Sequence, residues 1–201
     1  MALTAATVLE ELQRRLRIGT AESAISDANI FTIMDCVQCT LNYAFDRSVS
    51  TGTFTPASAT TLYATTTSIH GGCFRILTIY ESTRTVMFVP NWKMLQQYDR
   101  NWFRSAGTRT EAWAPVGHNM LAIYPGSTTA LGVTYVSRPT AITSSGDVFK
   151  LPAVDAPLIY DLCEIVLLAH LRLYPEITRK LQSFQKAVEP YVEREDFIRG
   201  R

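Results

Sequence analysis

The chain has 201 residues and a formal net charge of +1, from 19 Lys and Arg against 18 Asp and Glu; 47% of it is hydrophobic and 18% charged. That length suits one domain, or one domain carrying a sizeable insertion, and the apolar content excludes disorder over most of the chain. A balance so near neutral excludes the strongly basic field that makes tight, sequence-independent DNA binding the default.

The opening stretch, "MALTAATVLEELQRRLRIGT", has no basic segment followed by an apolar one, so no signal peptide is expected there. Thr4 is a candidate cap for a first helix over Ala5–Arg17, with Val8, Leu9, Leu12, Leu16 and Ile18 as its apolar stripe. Ser26 or Asp27 can cap a second, running to about Asp46, in which Ile30, Ile33, Met34, Val37, Leu41, Ala44 and Phe45 recur at helical spacing. Residues 48–67 are rich in Ser, Thr and Ala, which suits edge strands and extended connections. Phe74–Tyr80 and Thr85–Pro90 predict two strands joined as a hairpin through "ESTR". Asn91 can cap one or two helical turns in "NWKMLQQYDRNWF".

Trp113, then Leu121 and Ile123, then Leu131, Val133 and Tyr135 alternate with polar neighbours between the turns "APVGHN" and "PGSTT". This pattern predicts a three-stranded meander with one buried face. "RPTAITSSGDVFKLPAVDAP" reads as an irregular link. A third helix starts near Asp155 as cap, with Pro157 in its first turn and Leu158, Leu162, Ile165, Val166 and Ala169 on one face. Its apolar run, Leu162–Leu171, is interrupted by Glu164 and His170 and is shorter than the ~20 residues a membrane span needs. Pro175 ends that helix and starts a fourth, where Ile177, Leu181, Phe184, Val188 and Tyr191 form a packing seam. Pro190 weakens its last turn, and the charged end "EREDFIRGR" reads as an arm.

The order of elements predicts an α+β fold: an antiparallel bundle of about four helices, 1–50 with 150–201, carrying a β-rich antiparallel insertion, 51–149, and a C-terminal arm, 192–201.

Chemistry is sparse. Cys36-x-x-Cys39 sits mid-helix, with Cys73 and Cys163 isolated and no His at ligand spacing, so core packing is expected rather than zinc or redox work. His70, His118 and His170 are far apart in sequence, and no phosphate-binding loop or nucleophile elbow is present. Trp92, Trp102 and Trp113 with Arg100, Arg104 and Arg109 could form a nucleic-acid platform, although core or intersubunit anchoring explains them better. No catalytic residue, metal or cofactor is expected.

The run W-A-P-V-G-H-N-M-L-A-I-Y-P, then "ALGVTYVSRP", then "DVFKLPAVDAPLIYDLCEIVLLAHLRL", then a Pro-Glu…Phe-Gln-Lys helix resembles tailed-phage head-to-tail adaptor (connector, or head completion) proteins, and is similar to the tail tubular protein A family. The resemblance implies a non-enzymatic virion protein that forms a homo-oligomeric ring, expected of twelve subunits, at the neck between portal protein and tail proteins. DNA would pass through its channel without sequence-specific binding or a membrane, after assembly in the host cytoplasm. It also implies that the arm reaches the portal, through Arg194, Phe197, Ile198, Arg199 and Arg201. The alternatives are a tail-completion or stopper protein one layer lower, a small hydrolase using His70 or Cys73, and a nucleic-acid-binding module.

Overall fold

The computed structural model describes residues 2–16, 25–57, 60–117 and 119–199, with 192–199 as backbone only. Among these residues the chain is mixed α and β, with six α-helices and two four-stranded sheets. In chain order they are α1 (Ala5–Leu16), α2 (Asp27–Phe45), β1 (Val49–Phe54), β2 (Leu62–Ala64), α3 (Thr65–Ser68), β3 (Cys73–Glu81), β4 (Arg84–Thr85), β5 (Met87–Phe88), α4 (Leu95–Tyr98), β6 (Ala112–Val116), β7 (Met120–Tyr124), β8 (Leu131–Ser137), α5 (Ala156–His170) and α6 (Tyr174–Arg199). The chain divides into two compact units, Met1–Arg47 with Pro139–Arg201, and Ser48–Arg138.

In the first unit α5 packs against α1, α2 and α6. Val8 and Leu12 of α1, Met34, Val37 and Leu41 of α2, and Leu158, Ile159, Cys163 and Leu167 of α5 close the core. The buried face of α5 matches the expected one only in part: Leu158 and Ile165 are buried as read, and the rest of the face is rotated. Ile159, Cys163 and Leu167 are sealed, Leu162 is half-buried, and Val166 and Ala169 are exposed. An all-round apolar helix gives its moment no direction, so its neighbours decide which face goes in.

Residues from Pro139 onward, expected as a link at the end of the insertion, are fastened to the helices instead. Gln38 is fully buried on α2; its Nε2 donates to Thr140 O (3.1 Å) and its Oε1 accepts from Lys150 N (2.7 Å). Asp35 accepts the Ile142 amide at 3.1 Å. The same segment supplies carbonyls to the first turn of α1: Ala5 N donates to Asp147 O (2.8 Å) and Ala6 N to Ser145 O (3.0 Å). Helix N-termini leave such amides without intrahelical partners. Thr4 adds the expected cap, accepting from Thr7 N.

In the second unit the sheet orders are β1-β8-β3-β4 and β2-β7-β6-β5. The expected meander does not form. β6 and β7 pair antiparallel as read, but β8 leaves them and lies between β1 and β3 in the other sheet. Nor is the expected hairpin a two-strand pair over its length. β3 pairs with β4 only at Tyr80 and Glu81, after which the chain crosses over and β5 pairs parallel with β6. Alternation says that a strand has one buried face; it does not say which sheet the strand joins. The inner faces of both sheets share one core, in which Ile79, Leu131, Val133 and Tyr135 meet Trp113, Leu121 and Ile123. The outer face of the second sheet is also covered. Ala112, Ala114 and Ala122 are small enough to let Leu95 and Trp102 lie over them.

Glycine at 132 is a matter of space. A Cβ there would fall 2.2 Å from the Tyr80 ring, which crosses β8 at that point and brings its hydroxyl to Thr134 Oγ1 (3.3 Å). Gly132→Ala is expected to displace Tyr80 and destabilise by about 1–3 kcal/mol, as overpacking does. A much smaller cost of Gly132→Ala in a Tyr80→Ala background than in the wild type, measured by urea titration, checks the cause.

Candidate interaction surface

Among the described residues α6 is the longest helix. α5 ends in a Schellman turn: Arg172 takes a left-handed conformation (φ 59°), Arg172 N donates to Ala169 O (3.1 Å) and Leu173 N to Leu168 O (3.0 Å). Pro175 then occupies the first turn of α6, where a missing amide costs nothing. From Tyr174 to Tyr191 no residue is fully buried. Phe184, Ala187, Val188 and Tyr191 lie half-buried on the core. Leu173, Tyr174 and Leu181 are exposed, Tyr174 at 65%, so the start of the helix presents apolar groups to its surroundings.

Beneath that start lies a charged junction. Glu164 of α5, its side chain only 7% exposed, accepts from Lys180 Nζ of α6 (2.8 Å) and Arg15 Nη1 of α1 (3.3 Å). Arg15 also reaches Asp161 (2.7 Å) and Glu11 (2.8 Å), and stacks over Tyr160. Burial opposes the Arg15 charge, but the hydrogen bonds to Glu11, Asp161 and Glu164 outweigh it and hold the guanidinium above its usual pKa. The hydrogen bond from Arg14, then that from Arg15, pulls the Glu11 carboxyl down to about 2. A pocket of about 270 Å³ opens beside this junction, floored by Leu16, Leu168, Leu171 and Leu173 and edged by Glu176, Arg179 and Lys180. Its chemistry is that of an amphipathic contact, with apolar area inside a ring of both charge signs.

The residues assigned to the C-terminal arm fall at the far end of α6. Pro190 stands inside the helix without ending it, and the backbone at Arg194, Phe197, Ile198 and Arg199 is helical. Proline removes one ladder bond, and the carbonyl it frees, on Lys186, belongs to a stretch exposed to water. The side chains of 192–199 and the whole of Arg201 lie outside the described residues.

The other candidates scatter. Cys36 is exposed and Cys39 only partly covered, which corrects their reading as core residues; Cys73 and Cys163 are the buried pair. Cys36 lies about 200° around the helix from Met34, so it faces away from the sealed stripe. Burial pushes the Cys73 thiol up to about 11, and the Cys163 thiol upward as well. His70 Nδ1 accepts the Gly72 amide (3.0 Å) and the ring stacks on Tyr135, so it serves the turn before β3. His118 lies outside the described residues and His170 is exposed at the end of α5. Trp102 and Trp113 are buried and cannot offer a face to a base. Among the described residues no three His, Cys, Asp or Glu side chains gather as a metal site would require, and no helix is long and apolar enough to cross a membrane.

Gln38 and Asp35 escaped the sequence reading. The signal was there: Gln38 follows Met34 by one turn, a polar side chain inside an apolar stripe. In native protein, a thiol reagent is expected to modify Cys36 first and Cys39 more slowly. Cys73 and Cys163 should react only after denaturant is added, a sequence that mass mapping of the labelled peptides reads directly.

Scans against protein-family models and against curated proteins found no match to the chain.

Proposed function

We propose that the chain is a structural protein of a tailed-phage neck, a ring-forming adaptor that joins the portal to the tail, extends the DNA channel and gives tail proteins a docking surface. In this reading the four long helices act as an antiparallel bundle and unit Ser48–Arg138 is the inserted sheet module. The observation that carries the proposal is α6. A 26-residue helix with no sealed residue from Tyr174 to Tyr191, and with Leu173, Tyr174 and Leu181 exposed at its start, is under-covered for a helix serving one subunit alone. Apolar groups of this kind mark contact surfaces. The near-neutral charge of the chain agrees with a channel through which DNA slides, because a basic lining would hold phosphates.

The portal contact is assigned to the end of α6, through Arg194, Phe197, Ile198, Arg199 and Arg201. One Phe–Ile pair contributes roughly 1.5–3 kcal/mol per side chain before ordering costs, so a single arm binds weakly and a ring of arms gains by avidity. A chain ending at Tyr191 and a Phe197→Ala, Ile198→Ala double variant are expected to keep the wild-type melting temperature and to fail to join DNA-filled heads to tails. Electron microscopy of particles assembled with each variant reads the outcome. Normal titres of infectious particles would remove the arm from the portal contact.

A further inference from the structure

Sheet edges are sites for unwanted pairing, and proteins blunt them with short strands, bulges, proline or charge. Three of the four edges in the second unit are blunted among the described residues. β4 and β5 have two residues each and β2 has three. β3, partly exposed beyond β4, carries two register shifts against β8. β1 is different. Its sequence, VSTGTF, has no charge and no proline, and its register with β8 is unbroken from Val49 to Phe54.

The direction of its backbone groups follows from the ladder. Ser137 N donates to Ser48 O (2.8 Å), and Ser48 stands opposite Ser137 by the register Val49↔Val136. Antiparallel alternation then turns Ser50, Gly52 and Phe54 toward β8, and turns the amides and carbonyls of Val49, Thr51 and Thr53 to the open edge. Among the described residues β1 pairs with β8 alone, and no backbone hydrogen bond outside the strand ladders reaches those three. Their side chains are exposed on the outer face, Val49 at 49%, while Phe54 enters the core.

We propose that this edge pairs with the β1 edge of a second copy of the chain, antiparallel, about a two-fold axis through Thr51. The spacing is self-complementary. Thr51 faces the partner's Thr51, Val49 faces the partner's Thr53, and the reverse. All the outward groups are satisfied by about six hydrogen bonds, two per facing pair. Residues that face each other share a sheet face, so the exposed side chains meet on one side as β-branched pairs, which favour such contacts. The lack of charge matters as well: a lysine or glutamate at the centre would meet its own copy. The pairing does not rest on the neck-ring reading. An isologous contact closes on itself and builds no ring, so it belongs to the free protein.

The test uses the full chain. Sedimentation velocity across the micromolar range is expected to show a reversible dimer. Thr51→Lys, which sets like charges opposite each other, should weaken it by roughly tenfold or more. Thr51→Pro, which removes an amide facing the open edge rather than β8, should do the same. In a Cys36→Ser background, Thr51→Cys should cross-link to a disulfide dimer without reductant, since facing residues in such pairs stand about 5.5 Å apart at Cα. Thr53→Cys should not, because its own copy lies roughly 13 Å away along the strand. A chain that stays monomeric throughout, a dimer indifferent to Thr51→Lys and Thr51→Pro, or cross-linking through position 53 in place of 51 would each overturn the proposal.

Discussion

Ile159→Ala is expected to destabilise the helical unit by about 3–5 kcal/mol. Ile159 has no solvent exposure and sits in the core with Met34, Leu158, Cys163 and Leu167. Truncation removes the transfer free energy of three carbons and leaves a cavity that four converging helices cannot readily close; Leu and Ile to Ala changes at such sites cost 2–5 kcal/mol. The controls are on the same helix. Leu162→Ala, at a half-buried site, should cost about 1–2 kcal/mol, and Val166→Ala, on the exposed side, should stay within about 0.5 kcal/mol. Urea titrations followed by far-ultraviolet circular dichroism give the order. A larger loss at Leu162 than at Ile159 would mean that α5 is rotated from the face described here.

Asp155→Ala is expected to cost about 2–4 kcal/mol, for a different reason. The Asp155 carboxylate is fully buried before α5 and takes both ends of the Arg47 guanidinium, at 3.0 Å to Nε and 3.2 Å to Nη2. Sequence position marks it as a helix cap, yet its side chain makes no cap hydrogen bond and turns to Arg47. Only the carboxylate of this pair is sealed, and the Arg47 side chain is about a quarter exposed, so the loss reflects the two hydrogen bonds and the charge pairing that a partly desolvated guanidinium gives up. The expected signature is therefore non-additive. An Asp155→Leu, Arg47→Met double variant should recover much of the stability lost in Asp155→Ala, which a double-mutant cycle of thermal melts measures. Strict additivity would show that the two side chains are not coupled.

What could be read without coordinates was local. Apolar residues three and four apart located α1, α2, α5 and α6, because a helix closes its hydrogen bonds within its own segment and needs only one covered stripe. Thr4, Ser26 and Asn91 were legible as caps for the same reason: each bonds an amide two or three residues away. Pro175 at the head of α6 obeyed a rule of one helical turn. Strand-forming stretches were legible as alternation around Leu121, Ile123, Leu131, Val133 and Tyr135.

Only the tertiary structure decided partners. Nothing local distinguishes β8 in a meander with β7 from β8 between β1 and β3, since period two is satisfied either way and the choice rests on hydrogen bonds to residues more than fifty positions distant. The same holds for the face of α5, where leucine and isoleucine on most sides left the orientation to packing. It holds for the outward place of Cys36, the attachment of 139–152 to Gln38 and Asp35, and the turn of Asp155 from its own helix to Arg47. Each of these depends on a group brought near by the fold, and a polar side chain taken out of water accepts whichever partner the fold places beside it.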